Sequence, residues 1–494
     1  MSDFNAGGFP FFGGNFDPNQ FDPKEFAEFL KSMGVDPNQV VPGGVQNLSP
    51  AILQQMLQQA TFIMQSSDGP INWKLVQQIF RQGAWGEGDL QLSAAQAAQA
   101  RQALQVADLW LDAVTDVAPV TSERKAWRRS DWADETLDTW KVIIEPVAEN
   151  VERAFKTAFG QQMKHLQNLD ETDFERLSES PEFSMLQGLP GMENIHGLKA
   201  LLSQGDKLVS EMSSAVFSLQ IGKALGELSH AALGSTDVGI PGPSAVTALV
   251  LPNVDAFAAG FEIPIDEVRQ FAALRECAHA RLFASVPWLK AEILGSIRLY
   301  AAEISIDTEA IRQAVTEVGP MDQEGLQNAL TGKLFKPEPS ESQKLALTQI
   351  EALLALIEGW VETVTFEAAR PYLPHATQLR ELMRRRRIDG SPAEQVLATL
   401  IGLQLRPRKA RNATELWELL GAQGMVARDA YWRHPDVAPS DAELDSPQDF
   451  LANRQLREAV ETSIDAELGA LLDGTLGWAE GLAPDMDSEG DQQI

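Results

Sequence analysis

Cysteine is almost missing from this chain, occurring once in 494 residues at Cys277, and tyrosine occurs only three times. One cysteine excludes an internal disulfide and fits a reducing compartment, so a cytoplasmic location is expected. Positive charge is also scarce. Lys and Arg number 40 against 70 Asp and Glu, a net charge of −30, which argues against nucleic acid as a partner. No apolar run approaches the roughly 18 residues needed to span a bilayer. The opening Met1-Ser2-Asp3-Phe4 has neither a basic n-region nor an apolar h-region, so neither membrane span nor export signal is expected. P-loop, G-x-G-x-x-G, G-x-S-x-G and C-x-x-C patterns are all absent, leaving nucleotide, hydrolase-elbow and redox readings without support.

Hydrophobic residues make up 44% of the chain, enough for a folded core. The length exceeds what one core usually organises, so two lobes are expected, over residues 46–190 and 191–483. A Gly/Phe/Asn/Pro-rich arm (1–45) precedes them, with room for a short helix at Phe26–Met33, and an acidic tail (484–494) follows. Helical periodicity dominates between the ends. It predicts helices over Leu104–Val117, from Ser122 toward Phe159, within Gly197–Leu233, and over Ile265–Leu282, Leu289–Ile304 and Glu341–Ala369. Shorter ones are expected at Thr377–Arg387, Pro392–Leu403, Ala413–Leu420 and Asp449–Leu468. A strand is clear only around Ala248–Leu251, between Gly/Pro breakers. The expected fold is mainly α with one small β-sheet (α+β). The eleven tryptophans fall mostly at helical spacing on apolar faces, as core residues do.

The stretch Arg275-Glu276-Cys277-Ala278-His279 differs by one residue from H-E-x-x-H. That helical motif holds zinc with two histidines at i and i+4 and activates water with the glutamate. Here Glu276 and His279 are in place, while Arg275 stands at the first ligand position. A guanidinium stays protonated and has no lone pair for zinc. On spacing alone, E-x-x-H is more often a structural histidine beside a surface glutamate. Cys277 within the motif is read as a buried structural thiol, with a nucleophile as the less common alternative. For His165, His196, His230, His375 and His434, capping or surface roles are favoured over metal ligation.

The stretch from about Leu249 to Leu420 resembles the bacterial zincin-like metallopeptidase type 2 family. The resemblance rests on E-x-x-H-A-R-L-F with Val286-Pro287-Trp288-Leu289 soon after, on Ala355-Leu356-Ile357-Glu358-Gly359-Trp360-Val361, and on Pro392-Ala393-Glu394-Gln395 and Leu403-Gln404-Leu405-Arg406-Pro407-Arg408. It implies a zincin-like fold, with Glu276 as general base, His279 and Glu358 as zinc ligands, and Glu362 in support one turn beyond Glu358. Arg275 departs from the pattern and leaves two protein ligands where catalytic zinc sites keep three. Zinc is therefore implied by the family and disfavoured by this sequence. Arg275 can instead substitute for the cation by pairing with a carboxylate.

Three functions follow. The chain is a degenerate zincin homologue, impaired in catalysis, that binds a peptide or protein. Alternatively it is an active cytoplasmic zinc-dependent metallopeptidase or hydrolase using Glu276 as base. A third reading keeps Glu276 and His279 as an acid/base pair without metal. Arg384-Arg385-Arg386-Arg387 is read as a helix end that serves nearby carboxylates, or as a cationic patch for an acidic ligand or for the acidic tail.

Overall fold

The computed structural model describes residues 69–167, 205–304, 339–388 and 409–472, apart from positions 87, 90, 238, 240 and 243–245. The N-terminal arm with its Phe26–Met33 helix, the Pro392–Leu403 helix and the acidic tail lie outside the described residues.

Helix α1 (Trp73–Trp85) is capped by the Asn72 side chain, which accepts from Leu75 N–H. Helix α2 (Ala94–Leu111) opens with a reciprocal capping box between Ser93 and Gln96. It stops short of Val117 because the chain turns toward a buried acid. The Thr115 hydroxyl and Asp116 N–H both donate to Asp429, at 2.6 and 2.8 Å.

Strand β1 (Glu123–Trp127) occupies the segment where sequence spacing predicts the start of a helix at Ser122. Tertiary pairing overrides the local pattern. Ser122 Oγ bonds Thr247 Oγ1 at 2.6 Å instead of capping a helix, and Arg124 pairs with Asp108 at 2.6 Å. Helix α3 (Arg129–Gln167) begins two residues after the strand, with Asp89 accepting from the N–H groups of Arg129 and Ser130. A distant aspartate thus does the work of an N-cap.

Helix α4 (Gly205–Ser229) lies against α1 backbone to backbone. A Cβ on Gly83 would sit 2.9 Å from the Gly226 Cα. Strand β2 (Val246–Val250) is buried along its whole length and pairs in parallel with β1, from Glu123 opposite Val246 to Trp127 opposite Val250. On the same stretch of β2, Gly234 forms an antiparallel bridge to Leu249. The sheet joins strands from both expected lobes, and one buried apolar cluster takes side chains from α1 through Phe450.

Helices α5 (Leu251–Ala259), α6 (Ile265–Ser285) and α7 (Pro287–Ala302) follow β2. After them come α8 (Glu341–Ala369), α9 (Ala376–Ile388), α10 (Ala410–Gly421), α11 (Met425–Asp429) and α12 (Phe450–Leu472). The mainly helical architecture with one small sheet is as the periodicity predicts. Helix α6 is central, packed against α2, α5, α8 and β2. Tryptophans fill the core as expected. Trp432 is ringed by Trp417, Trp288 and Trp360, with centroids 5.0, 6.2 and 6.4 Å away.

Helix α8 meets α10 at Gly359, where an added Cβ would lie 2.7 Å from the Ala413 carbonyl carbon and the Thr414 nitrogen. Backbone cannot yield as a side-chain tip can. Gly359→Val is therefore expected to destabilise the protein by about 1–3 kcal/mol or more, read as a lower urea midpoint. An unchanged midpoint would contradict this packing.

Candidate active site

Helix α6 starts after Pro264 with Asp266 and Glu267 in its first turn, which suits the positive end of its dipole. It ends at Val286, where Pro287 begins the next helix. Between Val268 and Leu282 it is buried on nearly every face, yet that stretch includes Arg269, Arg275, Glu276, His279 and Arg281. Buried charge is stable only when paired. Each of these side chains does find a partner, and the partners come from several neighbours. Arg269 reaches Asp255 on α5, and Arg281 reaches Asp108 and Asp112 at the end of α2.

Arg275 and His279 both turn to Glu358 on α8. Arg275 Nη2 donates to Glu358 Oε2 at 2.9 Å, and His279 Nε2 lies 3.1 Å from Oε1. A third group comes from α9, where Arg387 Nη1 donates to Oε2 at 2.8 Å and its Nη2 to Glu362 at 2.8 Å. Arg380 and Arg384 complete the Glu362 shell at 2.8 and 2.5 Å. Burial pushes the Glu358 carboxyl up. Arg275, Arg387 and His279 together outweigh that and hold it well below the usual carboxylate range. Glu362 follows the same balance, with burial overcome by Arg384, Arg387 and Arg380.

His279 is fully buried and constrained at both nitrogens. Nδ1 lies 3.0 Å from the Arg275 carbonyl, one turn back, and Nε2 faces the carboxylate. A carbonyl only accepts, so Nδ1 carries a proton. Nε2 then meets Glu358 through a second proton or through another cation between them.

Glu276 points elsewhere, to the segment that bridges β2. It accepts from the Ser235 hydroxyl and from the Thr236 N–H at 3.0 and 3.2 Å. Its Oε2 occupies the space a Cβ on Gly234 would need, so any side chain there would displace the Glu276 carboxylate. Burial raises the Glu276 carboxyl above its ordinary value, with Ser235 opposing. Just beyond, Asp237 takes Arg386 Nη2 at 2.8 Å and Leu233 N–H at 2.9 Å.

The other described histidines are remote in role. His230 contacts the Gly83 carbonyl at 2.8 Å, His375 pairs with Glu267 at 3.0 Å, and His434 sits exposed beside Asp436. The Cys277 thiol is buried against the Leu104 carbonyl at 3.5 Å, and burial pushes its pKa well up, which suits the structural role. Arg387, Arg386, Ser235, Thr236 and Asp237 were not singled out as site residues by sequence reasoning. The run of four arginines was the available signal for the first two, because so dense a cationic stretch in an acidic chain needs acidic partners. For Ser235–Asp237 nothing beyond turn composition was visible.

A family model described as zincin-like metallopeptidase matches residues 71–451, most of the chain. The chain belongs to the zincin-like metallopeptidase family. No curated protein matches it. A crystal structure from Chloroflexus aurantiacus, provisionally described as a hydrolase with a novel fold, is similar at 16% identity and a TM-score of 0.48. That similarity covers 78% of this chain and 99% of the other. Catalytic zinc sites in zincins hold three protein ligands and keep one position open. Among the described residues the donors that meet here are His279 Nε2 and Glu358 Oε1, with the Arg275 guanidinium on the other oxygen of the same carboxylate. Among the described residues no group of three or more His, Cys, Asp or Glu is arranged to hold a metal ion.

Two measurements probe the cluster. Removing Glu358 leaves Arg275 and Arg387 buried without their shared anion, so Glu358→Ala is expected to cost about 3–5 kcal/mol in urea unfolding. The depressed Glu358 and Glu362 carboxyls stabilise the fold fully above their ordinary value of 4.5, and that stability is lost as pH falls below it. Glu276 acts with the opposite sign. Its raised pKa favours the fold at acid pH and costs stability as pH rises. Glu276→Gln, which keeps an acceptor for Ser235 and Thr236, should raise the Tm at pH 7 and do so less at pH 4. A lower Tm at pH 7 would show that the charge itself is needed.

Proposed function

We propose that this chain is a zincin-like protein whose metal position has been taken over by an ion-pair cluster, and that it binds a peptide or protein without hydrolysing it. The observation that carries the reading is the double guanidinium hold of Arg275 and Arg387 on Glu358. A carboxylate neutralised in this way has little left to offer a dication, and two cations a few ångströms apart in a buried site repel strongly. The hold on Glu276 supports the same conclusion. A general base must reach a water, and this carboxylate is engaged by Ser235 and Thr236 and wedged against Gly234. Peptide or protein is the ligand class that membership of a metallopeptidase family suggests. Among the described residues no helix is long and apolar enough to cross a membrane. The single buried cysteine fits a cytoplasmic setting.

One observation favours a second reading, an active zinc-dependent hydrolase with Glu276 as base. The 3.1 Å between His279 Nε2 and Glu358 Oε1 suits two ligands of one metal, each at about 2.0–2.2 Å from it. On that reading Arg275 swings aside when zinc binds.

Metal analysis of freshly purified protein separates the two. The ion-pair reading expects far less than one zinc per chain in the wild type, and a clear gain of zinc affinity in Arg275→His, which restores H-E-x-x-H. About one tightly held zinc per wild-type chain would overturn it in favour of the active enzyme.

A further inference from the structure

Helix α12 stands off the body. From Gln455 to Leu468 every residue whose burial is described is exposed. Along it Leu456, Val460, Ile464 and Leu468 repeat at every fourth position, each 51–64% exposed. This is an unbroken i±4 ridge of branched apolar side chains with nothing from the described residues on it. Such a ridge costs free energy in water, and a helix of this length gains too little from its own hydrogen bonds to offset that.

The residues around the ridge say what covers it. Ala459 and Ser463 form a low row beside Val460 and Ile464, a shallow groove of the size that a second ridge of the same kind fills. The basic residues of the helix, Arg454 and Arg457, lie near its start, and the acidic ones, Glu458, Glu461, Asp465 and Glu467, run from there toward its end. A symmetric pair needs one surface that complements itself. An antiparallel pair whose two-fold axis passes between Val460 and Ile464 meets that need. It sets Leu456 against Leu468 and Val460 against Ile464 of the other copy. In the same register Arg457 faces Glu467, since this pair of positions has the same sum, 924, as the two apolar pairs. A parallel pair would instead set each charge against its like. Arg457 is half-exposed and reaches Glu443 at 2.7 Å from one nitrogen of its fork, which leaves donors for a second carboxylate.

We infer that α12 is the dimerisation surface of this protein and that its occupant is α12 of a second copy, packed antiparallel through the Leu456–Leu468 ridge. Interdigitation of two i±4 ridges places the helices at about −50° to one another.

Sedimentation equilibrium of the full chain over a concentration series tests this. The expected species is twice the 54.1 kDa chain mass. Ile464→Glu is expected to return it to the monomer mass while the protein keeps a cooperative thermal melt, because Ile464 packs on nothing in the described body. Arg457→Glu or Glu467→Arg alone should weaken the dimer at least tenfold, and the two together should recover it. A wild type that is monomeric at its highest soluble concentration overturns the inference, as does any larger assembly or a dimer that survives Ile464→Glu. A double charge reversal that fails to recover the dimer overturns the antiparallel register.

Discussion

Glu358 is the anion on which the centre of this molecule depends. Its two oxygens receive a guanidinium from α6, an imidazole from α6 and a guanidinium from α9, so one carboxylate on α8 fixes three helices against each other. Arg387 extends the tie to Glu362 one turn along α8, where Arg380 and Arg384 add two more charges from α9. The close approach at Gly359 explains why α8 can serve in this way. With α10 pressed against its back, α8 has no freedom to withdraw the carboxylate from its partners.

The remainder of α6 obeys the same rule. A helix buried all round is ordinarily apolar, and this one buries three arginines, a glutamate and a histidine. It tolerates them because the neighbours offer complementary groups: Asp255 from α5, Asp108 and Asp112 from the end of α2, Ser235 and Thr236 from the segment bridging β2, and Glu358 from α8. The pairs do not add greatly to net stability, since desolvation consumes most of their attraction. What they do is make the arrangement specific, because sliding α6 by one turn would leave several of them unpaired at once. The exposed apolar ridge of α12 is the reverse case, a surface left uncovered by the described residues.

Much of this was legible in the sequence. Glu341–Ala369 carries its own capping signal and a long apolar stripe, and the helix found there has those limits. Ile265–Leu282 was recognisable from its acidic first turn, and Pro287 marks where the next helix starts. The family could be recognised from E-x-x-H-A-R-L-F and Glu358 because spacing along helices translates directly into position in space. What escaped notice depended on contacts between distant segments. Nothing local in Glu123–Trp127 distinguishes a strand from a helix start, since its conformation is decided by β2 more than a hundred residues later. The end of α2 at Leu111 is likewise decided by Asp429. Ser235 and Thr236 look like any polar turn until Glu276 is seen to fold onto them.

The dispersal of the site along the chain has a consequence for how the protein is made. Arg275 leaves the ribosome 83 residues before Glu358 and 112 before Arg387, counting by position (358 − 275 and 387 − 275). Throughout that interval the nascent α6 carries charges that no emerged segment on the α8 side can neutralise. The two strands are similarly far apart, and parallel pairing waits for loop closure over their whole separation. At about 5–20 residues per second the central helix therefore spends several seconds unable to bury itself.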